Sequence, residues 1–175
     1  MANKNPADKL EWMRAAVERY EGPLVRYAAR ITGDLDRARD VVQETFLRLC
    51  REDRTRLDGH LAEWLFTVCR NRALDVQGKE RRMSSMSVAE MERCASRDSG
   101  PSAELERDEA MSQVLAVLAT LPDNQQEVVR LKFQDGLSYR EISQVTELSI
   151  SNVGFLIHTG LKTIRQRLGV TTGRS

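Results

Sequence analysis

Six apolar residues organise the last third of the chain. Ile150, Val153, Ile157, Leu161, Ile164 and Leu168 recur at steps of three or four. Such steps place all six on one arc of an α-helix, whereas a strand sends alternate side chains to opposite faces. Ser149 precedes the repeat as an N-cap. Upstream, Ser138-Tyr139-Arg140-Glu141 fits the S-x-x-E capping box, in which each side chain satisfies the other residue's backbone N–H. A short helix burying Ile142 and Val145 follows, then a break at Thr146-Glu147-Leu148. A short helix, a tight break and a longer helix with a polar, basic outer face form the helix-turn-helix pattern.

The outer arc of that longer helix carries Ser151, Asn152, Phe155, His158, Thr159 and Lys162, with Ser149 at its start. In the helix-turn-helix pattern its first turns lie near base edges in a major groove. Lys162, Arg165 and Arg167 then reach toward phosphates. An ordinary helical hairpin with a solvated outer face has the same spacing, so spacing leaves both readings open. Gly154 and Gly160 fall at the edges of the apolar arc and each costs about 1 kcal/mol relative to Ala. Close packing on a neighbouring helix would account for them.

The same period runs through most of the chain. Leu10, Met13, Val17, Leu24, Tyr27 and Ala28 follow it, with an interruption at Gly22-Pro23 that predicts two helical pieces. Asp34 is an expected N-cap for a helix buried through Leu35, Ala38, Val42, Thr45, Phe46 and Leu49. Its opposite face shows Arg37, Asp40, Gln43, Glu44, Leu47, Arg48 and Arg51. Arg51 to His60 reads as a polar loop. A third helix runs from Leu61 to about Arg82, with Leu61, Leu65, Val68, Cys69 and Val76 inside and Trp64 expected to pack inward beside Leu65.

Met83 to Pro101 has no sustained period and reads as a linker. Periodicity returns from Leu105 through Val114, Leu115, Leu118 and Leu121. Pro122 sits at the first turn of a helix carried by Val128, Val129, Leu131 and Phe133, and Gly136 is placed for a left-handed C-cap. The expected fold is all-α: two small helical domains, 1–82 and 105–175, joined by a flexible linker at 83–104, the second ending in the helix-turn-helix.

Composition narrows the function. Aromatics are 5% of 175 residues, which favours helices over sheets. No apolar run approaches the roughly 20 residues of a membrane span. The stretch MANKNPADKLEW has no apolar signal core, so a cytoplasmic location is expected. Cys50 and Cys69 lie on or beside apolar stripes and are expected to be buried thiols. Together with Cys94 and His60 they match no compact zinc module, so neither metal nor cofactor is expected. A Gly-rich phosphate loop is absent, and His60 and His158, the two histidines, sit in no catalytic motif. The chain is therefore expected not to be an enzyme. Net charge is +1, but it is unevenly spread. Met83 to Glu109 holds three Arg against seven acids, while Ser149 to Ser175 holds four bases and no acid. Such asymmetry hints at a polyanion partner, but from charge alone a set of solvated helix faces is the preferred reading.

Four segments, in order, resemble the bacterial sigma factors of the extracytoplasmic-function (ECF) group within the sigma-70 family. They are DLDRARDVVQETFLRL at Asp34 to Leu49, EWLFTVCRNRALD at Glu63 to Asp75, LPDNQQEVVRLKFQDGLSYREIS at Leu121 to Ser143, and the helix-turn-helix that follows. The resemblance implies a promoter-specificity subunit of RNA polymerase with core polymerase and promoter DNA as partners, and it admits an anti-sigma protein as a third. It implies that Asp40, Gln43, Glu44, Leu47 and Arg48 dock on core polymerase. Arg54, Arg56, His60, Asn71 and Arg72 would hold the melted −10 element, Asn71 matching the family's asparagine. Ser149, Ser151, Asn152, Phe155, His158, Thr159 and Lys162 would face the −35 element.

One stretch departs from the family. Members often carry a basic residue or two early in the recognition helix, where this chain has Gly154-Phe155-Leu156. Phe155 is suited to a thymine methyl group, to a partner protein, or to packing under another helix. The rival readings are a stand-alone helix-turn-helix regulator, which binds promoter DNA without polymerase, and a helical adaptor, which binds no DNA.

Overall fold

The computed structural model describes residues 6–84 and 105–169. Among the described residues it contains eight helices and no strand. The chain divides into two compact units, Met1–Ala95 and Ser96–Ser175. The linker expected at 83–104 lies outside the described residues from position 85 onward, and Met83 and Ser84 belong to the helix before it.

The first unit is built from α1 (Pro6–Thr32), α2 (Leu35–Leu49), α3 (Arg54–Leu57) and α4 (Leu61–Ser84). The two pieces expected around Gly22-Pro23 are one helix, with Pro23 inside it. An interior proline removes a backbone hydrogen bond and costs about 3 kcal/mol. Burial of Ala16 on one side of Pro23 and Leu24, Tyr27 and Ala28 on the other offsets that cost by fixing α1 against α2 and α4. Tyr27 meets Phe66 of α4 edge to face, with ring centroids 5.4 Å apart. Leu10, expected in the same stripe, is exposed.

Asp34 caps α2 as expected, its carboxylate accepting the Arg37 N–H at 2.8 Å. The buried arc of α2 comprises Ala38, Val41, Val42, Thr45 and Leu49. Val41 extends the expected stripe. Leu35 was included in it but is exposed, because it stands in the first turn at the edge of an arc centred on Thr45. The expected loop from Arg51 to His60 contains the one-turn α3. Asp53 caps α3 by accepting from the Thr55 N–H and hydroxyl, and Leu57 anchors it in the core. In α4, Leu65, Phe66, Cys69 and Ala73 are buried; Phe66 and Ala73 extend the expected stripe, and Leu61, Val68 and Val76 are half-buried. Cys69 is buried as expected, but Cys50 is exposed because the α2 stripe ends one residue earlier, at Leu49.

The second unit contains α5 (Leu105–Leu118), α6 (Asp123–Phe133), α7 (Tyr139–Thr146) and α8 (Ile150–Arg167). Pro122 is the N-cap of α6 and so lies just before its first turn. Gly136 has φ +74°, the left-handed geometry expected of it, and lets the Leu137 N–H return to the Leu131 carbonyl at 3.0 Å. The capping box is complete: Glu141 Oε2 accepts from the Ser138 N–H at 2.7 Å, and Ser138 Oγ accepts from the Glu141 N–H at 3.2 Å. The break between α7 and α8 turns on Glu147 at φ +61°, an αL position that a non-glycine residue adopts at a cost of the order of 1 kcal/mol.

α8 packs on α5, α6 and α7 through Val153, Leu156, Ile157, Gly160 and Ile164. Leu156 and Gly160 take the place of Ile150, which is 52% exposed at the helix start. Phe133, expected inside α6, is its last residue and is exposed. The two glycines of α8 differ. A Cβ on Gly160 would lie 3.0 Å from Val129 Cγ2 and 3.5 Å from Leu121 Cδ1, so α6 and α8 meet closely there. A Cβ on Gly154 would meet only the Tyr139 ring, at an ordinary 3.6 Å.

The two sites therefore respond oppositely to added atoms. Gly154→Ala recovers helix propensity and stabilises the chain by about 0.5–1 kcal/mol. Gly160→Leu forces its side chain into the α6 contact and destabilises by about 1–3 kcal/mol. Urea melts of the two variants check both signs.

Burial pushes the Cys69 thiol up to about 12, with the Thr45 side chain opposing more weakly. A thiol in the unfolded chain ionises near 9, so the folded chain binds the extra proton between these values. This contribution to stability is intact below pH 9 and is lost as pH rises toward 12. At pH 8 the folded chain should react with iodoacetamide at Cys50 well ahead of Cys69, as peptide mass mapping would reveal.

Candidate nucleic-acid and protein interfaces

Burying the Ala38–Thr45–Leu49 arc of α2 leaves Asp40, Gln43, Leu47 and Arg48 on the outside. Leu47 is 58% exposed among charged and amide neighbours. Glu44 sits at the margin of this face and is half-buried. Its Oε1 accepts from Arg48 Nη2 at 3.3 Å and its Oε2 from Arg72 Nε at 2.6 Å. The second bond reaches from α2 to α4. Both of its side chains are about a third exposed, 30% for Arg72 and 38% for Glu44, so its worth is of the order of 1 kcal/mol. Its geometric effect is larger than its energy: one carboxylate orients a guanidinium from each helix.

That bond changes the expected −10 set. Asn71 and Arg72 are adjacent in sequence but leave α4 about 100° apart. Arg72 turns to α2, while Asn71 is exposed. Trp64, expected in the core, is half-buried. It stands seven residues before Asn71, on the same arc as Thr67, Asn71 and Leu74. The period of α4 carries this signal, since Trp64 falls opposite Cys69 and Ala73, whereas adjacency to Leu65 alone points it inward. Arg54 and Arg56 are exposed on α3, and His60 is exposed just before α4, its Nδ1 lying 3.9 Å from Glu63 Oε2. α3 thus gives the backbone at both arginines a helical setting.

In the second unit, Ser151, Asn152, Phe155, His158 and Lys162 are exposed on α8, and Thr159 is half-buried. Ser149 is the N-cap, its hydroxyl accepting from the Asn152 N–H at 3.1 Å. Ser151, Phe155, His158 and Lys162 follow one another at steps of four, three and four, a single line along the helix. Opposite that line lie Val153, Leu156, Gly160 and Ile164, all buried. α8 contains no acidic residue. Arg165 is exposed, but Arg167, expected to reach for phosphate, donates through Nη1 to the Thr120 hydroxyl instead. The arrangement is a basic, acid-free helix presented by a short capped helix, suited to a polyanionic groove. Among the described residues no cluster of potential metal ligands occurs, and no helix is long and apolar enough to cross a membrane.

Comparison with known proteins matches both units in order. Residues 16–83 match the family model for Sigma-70 region 2, and residues 111–164 match that for Sigma-70, region 4. The ECF RNA polymerase sigma factor SigL of Mycobacterium tuberculosis is 30% identical over 171 residues, covering 91% of this chain and 92% of that protein. The ECF RNA polymerase sigma factor SigE of Mycolicibacterium smegmatis is 28% identical over 153 residues, covering 87% of this chain; the match spans 60% of that longer protein. Among solved structures, the sigma factor RpoE of Bartonella quintana, crystallised in complex with the anti-sigma factor NepR, shares the fold. It has a TM-score of 0.65 at 20% identity, covering 90% of this chain and 97% of that one. With its two units matched in order and a relative of nearly equal length at 30% identity, the chain belongs to the ECF group of the sigma-70 family.

Proposed function

We infer that the chain is a promoter-specificity subunit of bacterial RNA polymerase. It directs the core enzyme to −10 and −35 promoter elements and assists strand separation at the first. The observation that carries this reading is the pairing, in one chain, of a region 2 unit with a region 4 unit ending in a capped helix-turn-helix. A stand-alone regulator would have no use for the first unit. The subunit acts in the cytoplasm by binding and catalyses no step itself. An anti-sigma protein, the kind of partner seen with the Bartonella factor, is a third candidate partner.

Residues 1–82 serve as sigma domain 2 and residues 105–175 as sigma domain 4, with 83–104 as the tether. The outer face of α2 docks on core polymerase through Asp40, Gln43, Leu47 and Arg48, with Glu44 bracing Arg48 from its edge. Arg54, Arg56 and His60 line the approach of the melted −10 strand. Asn71 reads one base there, and Trp64 on the same arc offers a stacking surface. Arg72 serves this site chiefly by joining α4 to α2. The outer line of α8 faces the −35 duplex, where Lys162 sits on phosphate.

Core binding is tested by the paired change Asp40→Arg and Leu47→Arg, which leaves the Glu44–Arg72 bond in place. Co-purification with core polymerase should fall at least tenfold while helical circular dichroism is retained, a loss of about 1.4 kcal/mol. Undiminished co-purification removes α2 from the interface.

Asn71 and Lys162 should fail differently in promoter-library transcription with core polymerase at two salt concentrations. Asn71→Ala should relax preference at one −10 position, with a loss of roughly 1–3 kcal/mol of discrimination. Lys162→Ala should weaken all promoters about equally and reduce the salt slope by about one. A uniform loss with Asn71→Ala makes that residue structural, and a changed sequence preference with Lys162→Ala makes it a base reader.

A further inference from the structure

Phe155 is the least expected residue on the DNA-facing line. It is 65% exposed, which excludes packing under another helix of its own unit. It lies in the second turn of α8, with Ser151 one turn before it and His158 one turn after, directly opposite the buried arc. Lone exposed phenylalanines are common on protein surfaces and mean little by themselves. Here the surroundings identify the occupant. The helix has no acidic side chain, and His158, Lys162 and Arg165 are exposed along or beside the line. That charge suits duplex DNA. At 1.5 Å per residue, Lys162 lies about 10 Å beyond Phe155, far enough for one residue to sit over base edges and the other at the backbone.

We propose that Phe155 is a specificity-determining residue that selects thymine in the −35 element through an apolar contact with its C5-methyl group. The inference rests on the promoter-specificity reading above. In the major groove thymine alone presents a methyl group, so an aromatic ring with no hydrogen-bonding atom can still distinguish it from the other three bases. From Ile150 to Ile157 the helix carries no lysine or arginine. The bidentate guanine contact that arginine or lysine makes at O6 and N7 is therefore not offered by these turns, and the apolar ring favours thymine. Ser151 and Asn152, one turn nearer the helix start, supply hydrogen bonds to neighbouring bases.

The test uses holoenzyme assembled from the full chain and core polymerase. A library with a randomised upstream element yields the strongest promoter. Each upstream thymine is then replaced in turn by deoxyuridine, which keeps every hydrogen-bonding group and removes only the methyl. One replacement should lower initiation roughly three- to tenfold with the unaltered chain. The same replacement should have no effect with Phe155→Ala and a reduced effect with Phe155→Leu. Since the side chain is exposed, the melting curve of Phe155→Ala should match that of the unaltered chain. Four results overturn the proposal: a selected element without thymine, indifference to deoxyuridine at every position, a deoxyuridine penalty that persists in Phe155→Ala, or loss of core co-purification with selectivity unchanged. If no library promoter is transcribed above core polymerase alone, the promoter-specificity reading fails, and this inference falls with it.

Discussion

The rotational setting of α8 governs the second unit. A helix has one perimeter, and whatever is buried fixes what remains outside. Val153, Leu156, Ile157 and Ile164 lie against the other helices, and Gly160 brings α8 close to Val129 of α6. A rotation of one residue, about 100°, would drive Leu161 into that narrow gap and lift Gly160 out of it. The packing therefore admits one angle. At that angle Ser151, Phe155, His158 and Lys162 form the outward line. The capping box on α7 and the αL turn at Glu147 set where the helix begins; the close contact at Gly160 sets which way it faces.

The first unit solves the same problem with three long helices. α1 contributes Leu24, Tyr27 and Ala28 to a core shared with α2 and α4, strongly enough to carry a proline in its interior. α2 is then buried along one side and exposes the Asp40 to Arg48 face on the other. α4 exposes the arc running through Trp64 and Asn71. The two exposed regions belong to different helices, and Glu44 connects them by gripping Arg48 and Arg72 at once. Orientation of side chains in both regions is therefore a property of the packed unit, not of either helix alone.

Much of this was legible in the sequence because it depends on local spacing. The N-caps at Asp34, Ser138 and Ser149, the turn at Gly136 and the helical periods all involve residues within a few positions of one another. Membership of the family was legible from four ordered segments. Placement departs from local spacing where a distant element decides. Leu35 and Ile150 obey the period of their helices yet stand in first turns that neighbouring helices do not cover. Pro23 reads as a helix start until the packing of α1 on two other helices is known. Leu57 inside a polar stretch signalled α3, but a single apolar residue gives no period. Arg72 and Arg167 read as free cations, and their partners Glu44 and Thr120 lie 28 and 47 residues away. Position-by-position placement of side chains at the candidate sites thus depends on tertiary contacts that periodicity does not encode.

The shared carboxylate at Glu44 also limits how such a protein can change over generations. A substitution there strips the partner from a half-buried guanidinium on α4, and a substitution at Arg72 leaves a half-buried carboxylate on α2. Drift at one position is therefore tolerated best when matched at the other. A lineage in which the outer face of α2 changes at Glu44 therefore carries the change into α4 as well. Among the described residues, Ser151, Phe155, His158 and Lys162 on the outward line of α8 make no such side-chain bond to another helix, so that line can be rewritten one residue at a time while the packing beneath it stays as it was.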